Sequence, residues 1–400
     1  MAPQQRRARS RRPAVVAAAV ATAAALASGP GFAAGPEVVR AAGAPAPAPA
    51  VPAPAPPARD RPAVGAYLDY GARGVARIAR LSEWLGGAEL RVGHTYLPGD
   101  RWSNIEGRSG FLDVWADWRN EKKNRMLVLN VPMMERNEEG VPDAEVRTLL
   151  RQGAAGRFDH HFRALAERLV ALRVPDTVVV LGWEMNGVTY THRCGPDPVA
   201  WKAYWKRIVT TMRAVPGQRF KFDFAPSRGR DAVPWTYCYP GDDTVDIVGM
   251  DSYDQPAGVS FDEQVTEPYG LRFHVNFAKS RGKAVSYPEW GLFRNGDNPE
   301  YMRRMLAWMD EHRPLYHTLT DYCPHGVWQC ARNPRSSEIY RSVLSGRPGE
   351  PVPRPPKPQP STPPVPQPSE SCAPVHFGDW LEHWLGDKPC VRLDWWPRGR

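Results

Sequence analysis

The sequence predicts an α/β fold of the (β/α)8, or TIM-barrel, class, and two observations lead to it. Eight short segments between residues 63 and 346 are rich in Val, Ile, Leu and aromatic residues. Nearly continuous apolar runs of this kind are typical of parallel strands that are buried on both faces. Between them lie stretches with apolar residues three and four positions apart, which indicate amphipathic helices. Strands that alternate with helices over the length of one barrel favour this class.

Strand-like and helix-like segments alternate along the chain. Helices are expected at 157–173 and 198–214, and another at 299–312, because Pro299 and Glu300 suit a first helical turn. The predicted strands are 64–70, 88–94, 126–132, 177–183, 219–225, 244–250, 283–288 and about 315–322. A single (β/α)8 domain is therefore expected over residues 63–346.

The composition changes on both sides of this domain. Residues 1–34 begin with five arginines and continue into an Ala/Val stretch, the pattern of a secretory signal peptide, so we expect a secreted, extracellular protein. Pro-rich linkers are predicted at 35–62 and 347–370, which hold 20 of the 43 prolines. Such segments cannot bury a core.

A short tail follows the second linker. Residues 371–400 are expected to form a small Trp-rich unit that a Cys372–Cys390 disulfide holds together, because a fragment of this size needs a covalent staple. Its aromatic residues would either contact a glycan or cell wall, or pack on the barrel and on each other; they are Phe377, Trp380, Trp384, Trp395 and Trp396.

The six cysteines are even in number, as expected for disulfides in an exported chain. Three bonds among six cysteines allow 15 pairings. Sequence order favours Cys323–Cys330 and Cys372–Cys390 as local loops. Cys194 and Cys238 would then join two loops on the same face of the barrel.

The net charge of +9 does not indicate nucleic acid, because five of the arginines lie in the first twelve residues and +4 remains without them. No segment is apolar and long enough to predict a membrane span. The sequence contains no CxxC pair, no GxSxG motif and no phosphate-binding glycine loop. We therefore expect no metal, no cofactor and no nucleic-acid partner.

Two glutamates stand at matching positions after strand-like runs. Glu184 lies in TVVVLGWEMNG (177–187) and Glu289 in KAVSYPEWG (283–291), 105 residues apart. Because one βα unit takes roughly 31 residues, this spacing is about three units, and the two strand ends can face each other across the barrel mouth. A pair of facing carboxylates is the usual equipment for cleaving a glycosidic bond.

Three motifs make the chain similar to a known family. WEMNG (183–187), VDIVGMDSYD (245–254) and SYPEWG (286–291) resemble glycoside hydrolase family 26, which belongs to the clan of (β/α)8 retaining glycosidases with catalytic glutamates on strands four and seven. The resemblance implies that Glu184 is the acid/base and Glu289 the nucleophile. Tyr253 would match the family's tyrosine that contacts the nucleophile.

The substrate that the resemblance implies is a polysaccharide, with β-1,4-mannan as the first expectation. One departure weakens it: many members place His, and other clan members Asn, directly before the acid/base, where this chain has Trp183. Mixed-linkage β-glucan, β-1,3-xylan, transglycosylation and a non-catalytic glycan-binding protein stay open as alternatives.

Further residues are candidates for sugar contact from their positions near predicted strand ends. Each also has a structural interpretation: hydrogen bonding, turn capping or simple packing. Asp223 and Arg228 would either pair with each other or contact sugar. The candidates are Trp183, Asn186, His94, Asp69, Trp290, Trp328 and Trp102.

Overall fold

Eight parallel strands close into a barrel in the computed structural model, which describes residues 62–108, 110 and 112–345. β1 pairs with β2 on one side and with β8 on the other, and β6 pairs with β7, so no strand edge is left open. The strands are β1 (Ala63–Tyr67), β2 (Val92–Tyr96), β3 (Met126–Val131), β4 (Val178–Leu181), β5 (Lys221–Phe224), β6 (Ile247–Gly249), β7 (Ala284–Gly291) and β8 (Tyr316–Thr320).

The helices surround this barrel and confirm the predicted α/β alternation. Two of the helices that the sequence predicts begin with a side-chain cap followed by proline: Asp197 accepts from the Ala200 N–H at 3.0 Å, and Asn298 from the Tyr301 N–H at 3.1 Å. The helices are α1 (Gly71–Trp84), α2 (Trp102–Ile105), α3 (Leu112–Glu121), α4 (Asp143–Ala154), α5 (Asp159–Ala171), α6 (Pro198–Arg213), α7 (Phe261–Thr266), α8 (Leu271–Ser280), α9 (Pro299–His312) and α10 (Pro334–Ser345).

The apolar core has two parts. The larger cluster fills the space between the strands and the helices. The smaller one fills the barrel itself, where each fully buried aliphatic side chain contributes about 1.5–3 kcal/mol. The inner cluster consists of Ala63, Val92, Val128, Val178, Val180, Trp183, Ala225, Ile247 and Tyr316.

Polar side chains also occupy the barrel interior. Asp223 is fully buried there and accepts hydrogen bonds from Ser286 Oγ at 2.6 Å and Tyr316 Oη at 2.7 Å. Arg228 lies elsewhere and pairs with Glu267, so the expected alternative of an Asp223–Arg228 ion pair does not occur.

Several predictions concern parts of the chain that the structure does not describe. The signal peptide, both linkers apart from residue 62, and the C-terminal tail with Cys372 and Cys390 all lie outside the described residues. Within the described part of the chain, no helix is long and apolar enough to cross a bilayer.

Candidate active site

Glu289 faces the barrel interior because β7 is irregular. Ser286 points inward, as its hydrogen bond inside the barrel shows, and Tyr287 points outward, where its hydroxyl accepts from a tryptophan of α9. Strict alternation would send Glu289 outward together with Tyr287. The register between β7 and β8 shifts between Tyr287 and Trp290, and this bulge turns Glu289 back to the inside.

Three donors surround the Glu289 carboxylate. Tyr253 Oη donates to Oε2 at 2.8 Å, Asn130 Nδ2 donates to Oε1 at 3.0 Å, and Tyr96 supplies a further hydrogen bond. Each of them stabilises the ionised form. Burial acts in the opposite direction and is the larger influence, so the pKa of Glu289 lies above its ordinary value.

Tyr253 is held in place for this contact. It belongs to a two-residue strand, Ser252–Tyr253, that pairs with the end of β7. Its hydroxyl is also 2.8 Å from Thr320 Oγ1, and the guanidinium of Arg228 donates to its backbone carbonyl at 3.3 Å. Because the single Tyr253 proton goes to Glu289, Thr320 donates to Tyr253.

Glu184 is positioned differently, by a turn rather than a strand. β4 ends at Leu181, three residues earlier, and Glu184 has a left-handed backbone with φ +49°. This conformation is uncommon for a residue with a Cβ atom and is often found at functional sites. Its N–H donates to the Ala225 carbonyl at 2.8 Å, which ties the turn to the end of β5.

The surroundings of Glu184 favour its protonated form. Burial and then the charge of Glu289 raise its pKa to about 8; Asp231 adds to the rise, while a hydrogen bond with Ser227 opposes it. Glu184 is therefore largely protonated at neutral pH. Glu289 is thus close enough to Glu184 for its charge to act on this pKa.

Trp183 lies in the upper part of the inner cluster and is only 4 % exposed. Its ring contacts those of Tyr96, Tyr190 and His192 at centroid distances of 5.6, 5.0 and 5.0 Å. The residue therefore packs beside the glutamate pair and contributes to its desolvation, while little of its own surface is available to a sugar.

Two other candidates make structural contacts. Asn186 bridges two loops: its Nδ2 donates to the Ser227 carbonyl at 3.1 Å, and its Oδ1 accepts from the Ser227 N–H at 2.9 Å. Asp69 lies two residues after β1, not on the strand as expected, and accepts from Arg77 at 2.7 Å. Both side chains have these partners within the fold.

The remaining candidates for sugar contact differ in how far their side chains are buried. His94 is the third residue of β2 instead of its last and is fully buried. Trp290 is also fully buried and packs near Tyr340 on the outer side of the barrel, so it has no face to offer to a sugar. Trp328 follows β8 and keeps part of its surface exposed. Trp102 stacks on His161 at 4.2 Å.

Sequence reasoning missed several residues of the site. Asn130 and Tyr96 contact Glu289 and were not singled out, because Asn130 lies within an apolar strand and Tyr96 lies beyond the predicted end of its strand. The signal was their register: Tyr96 pairs with Asn130 across β2 and β3, so both side chains share the inner face. Asp251 was missed as well; it is 2 % exposed, and burial and the charges of Glu289 and Glu184 raise its pKa well above the ordinary value.

Two disulfides confirm the predicted pairings. Cys194–Cys238 joins the loop after β4 to the loop after β5 across 44 residues, and Cys323–Cys330 closes a short loop after β8. Among the described residues, no group of three or more His, Cys, Asp or Glu side chains is arranged to hold a metal ion.

Comparison with known proteins confirms the resemblance to family 26. Residues 165–291 match the model of glycosyl hydrolase family 26, a segment that contains both glutamates and all three motifs. No curated protein matches the chain.

Solved structures share the fold. A family 26 endo-β-1,4-mannanase from Bacillus sp. JAMB-750 is 18% identical with a TM-score of 0.53, covering 70% of this chain and 85% of that one. For a modular endo-β-1,4-mannanase from Cellulomonas fimi the values are 17%, 0.54, 72% and 71%. For the YdhT protein from Bacillus subtilis they are 17%, 0.52, 71% and 85%.

The barrel and the family match support the class of glycoside hydrolases for this chain. Within that class, residues 165–291 match family 26, and this match implies a glycan as the substrate.

Proposed function

We propose that this protein is a retaining endo-β-glycosidase that hydrolyses a polysaccharide by double displacement. The observation that supports it best is the unequal environment of the two glutamates. Glu289 receives three hydrogen bonds that favour its anion, whereas Glu184 has one such bond and a pKa of about 8. Carboxyl pairs with different environments divide into a proton donor and a nucleophile.

In the first step, Glu289 attacks the anomeric carbon and forms a glycosyl ester. Glu184 gives its proton to the glycosidic oxygen, and the leaving sugar departs as an alcohol. Tyr253 and Asn130 hold the attacking carboxylate in one orientation, because each donates to a different oxygen of it.

In the second step, Glu184 is ionised and takes a proton from water, which attacks the anomeric carbon and releases Glu289. Loss of the negative charge on Glu289 in the ester lowers the pKa of Glu184, because that charge is one of the causes that raise it. The same residue can then act as a base.

The substrate that we propose first is β-1,4-mannan. It is supported by the family match and by the mannanases among the structures that share the fold. The charges that act on Glu184 come from the carboxylates Glu289 and Asp231, which suits a neutral glycan better than an acidic one. Export is part of the proposal and is supported by the signal-peptide pattern of residues 1–34. Glycan contact by the C-terminal tail is also proposed, supported by its four tryptophans, with packing of these residues on the barrel or on each other as the alternative.

A panel of soluble polysaccharides tests the proposal. Wild-type protein and Glu289→Gln are incubated with β-1,4-mannan, mixed-linkage β-glucan and β-1,3-xylan, reducing ends are measured, and the anomeric configuration of the first products is followed by NMR. We expect wild-type protein alone to release β-configured products, with mannan cleaved fastest.

The alternatives give different results. Preferential cleavage of the glucan or the xylan would make that polysaccharide the substrate in place of mannan. Products longer than the substrate at high acceptor concentration would indicate a transglycosylase. Retention on insoluble glycan without any product would favour a non-catalytic binding protein. Release of α-configured products would overturn the retaining mechanism.

A further inference from the structure

A chain of buried hydrogen bonds leads from β8 to Glu289. Thr318 Oγ1 is 3.0 Å from His94 Nδ1, His94 Nε2 is 2.9 Å from Asn130 Oδ1, and Asn130 Nδ2 is 3.0 Å from Glu289 Oε1. Thr318, His94 and Asn130 have no exposed surface, so none of them can touch a substrate.

The contacts define the orientation of the Asn130 amide and the tautomer of His94. Asn130 donates to Glu289 with its nitrogen, so its carbonyl oxygen faces His94. A carbonyl oxygen only accepts, and His94 must therefore carry its proton on Nε2. Burial lowers the pKa of His94 to about 4, so the ring is neutral. Its bare Nδ1 faces the Thr318 hydroxyl, whose single proton is shared between this nitrogen and the carbonyl of Pro288.

Neighbouring groups keep the imidazole in this position. The ring of Tyr96 lies 4.9 Å from that of His94, and the ring of Tyr67 lies 6.0 Å from it at a steep angle. The Thr318 hydroxyl also contacts the carbonyl of Pro288, next to Glu289. The imidazole is thus enclosed by aromatic rings on strands β1 and β2 and by polar groups on β3 and β8.

We propose that His94 is a positioning residue for the nucleophile, which acts through Asn130 by holding its amide with the nitrogen towards Glu289. An amide is nearly symmetrical in shape, and without His94 it can turn over and present its oxygen instead. Two acceptors would then face each other, and the ionised form of Glu289 would lose a donor and become less favourable. This inference rests on the proposed role of Glu289 as the nucleophile.

Two substitutions at His94 separate the hydrogen bond from simple packing. His94→Gln keeps an N–H at the distance of Nε2, whereas His94→Asn keeps a polar group only at the distance of Nδ1. We expect His94→Asn to lower kcat by about 10- to 100-fold with little change in KM, and to move the acidic limb of the kcat/KM profile to higher pH. His94→Gln recovers most of this loss.

A double-mutant cycle tests whether the effect passes through Asn130. Asn130→Ala should give a similar loss and a similar shift of the acidic limb, and adding His94→Asn to it should cost little more. His317→Asn is the control, because His317 is equally buried on the outer side of the barrel and should lower the melting temperature without moving the limb.

Failure of the inference about His94 can be distinguished from failure of the proposed function. Full activity in Glu289→Gln would remove the proposed nucleophile, and the role of His94 with it. An inactive Glu289→Gln together with additive effects of His94→Asn and Asn130→Ala, or with equal losses in His94→Gln and His94→Asn, would overturn the inference about His94 alone. If His94→Asn does not fold, Thr318→Val provides the test. A shift of the acidic limb to higher pH supports the role of the hydrogen-bond chain from Thr318 to Glu289, and an unchanged profile contradicts it.

Discussion

The two glutamates look alike in sequence but are held in different ways. Glu289 lies inside β7, at a bulge, with donors from β2, β3 and the Ser252–Tyr253 strand around its carboxylate. Glu184 lies three residues beyond β4 on a left-handed turn, and its carboxyl group has one hydrogen bond, from Ser227. The contrast shows how one barrel keeps one carboxyl group ready to attack and the other protonated.

The largest effect expected from this contrast is on how the activity of each glutamate variant depends on the leaving group of the substrate. Glu289→Gln should remove activity on every substrate, because no other group forms the ester. Glu184→Gln should lose about 10²–10⁴-fold on polysaccharide, where the leaving oxygen needs a proton, and much less on a dinitrophenyl glycoside, where it does not. Steady-state rates of both variants on both substrates check this. Equal losses on the two substrates in Glu184→Gln would break the assignment of roles.

A smaller effect is expected when one donor to Glu289 is removed. Tyr253→Phe should lower kcat/KM by about 10- to 100-fold and move its acidic limb to higher pH, because the anion loses a charge-assisted hydrogen bond. The pH profile of kcat/KM is the measurement. Tyr340→Phe is a matched control, because the Tyr340 hydroxyl is buried without a hydrogen-bond partner and belongs to α10, on the outer side of the barrel. A shift of the same size in the control would show that the limb does not report on Glu289.

The smallest effect expected is on stability. The pKa of Glu184 rises from 4.5 to about 8 on folding, so ionisation costs more in the folded state. The contribution of Glu184 to the free energy of unfolding is therefore fully present below about pH 4.5. It is lost progressively as the pH rises towards 8 and beyond. Glu184→Gln cannot ionise and should melt higher than wild type at about pH 9, with a gap that narrows towards about pH 5. Thermal unfolding at both pH values measures it, and a gap independent of pH would contradict the assignment.

The architecture could be predicted from the sequence because buried strands and amphipathic helices each have a simple pattern of apolar residues, and the two patterns alternate along the chain. The sequence also located both glutamates, since each stands at a matching position after a strand-like segment. It did not show how they differ. A strand over 283–288 with regular alternation leaves no reason for Glu289 to face inward, and the bulge that turns it inward depends on pairing with β8.

The donors to Glu289 were hidden for a related reason. Asn130 stands in MLVLNV and resembles a polar interruption of a core strand. Its role depends on the register of β2 and β3, which brings it level with Tyr96, and single-strand patterns do not contain that register. His94 was noticed but assigned to a strand end, because the predicted strand stopped at residue 94, two residues before the observed end at Tyr96.

Chemical rescue with azide tests the central claim most directly. In Glu184→Ala, the ester on Glu289 still forms from a dinitrophenyl glycoside, and azide should release it as a β-glycosyl azide. In Glu289→Ala, azide should attack the substrate itself and give the α-glycosyl azide. NMR of the two products distinguishes the configurations. The β-product from Glu184→Ala and the α-product from Glu289→Ala are the predicted result, and the opposite pairing would contradict the division of roles between the two glutamates.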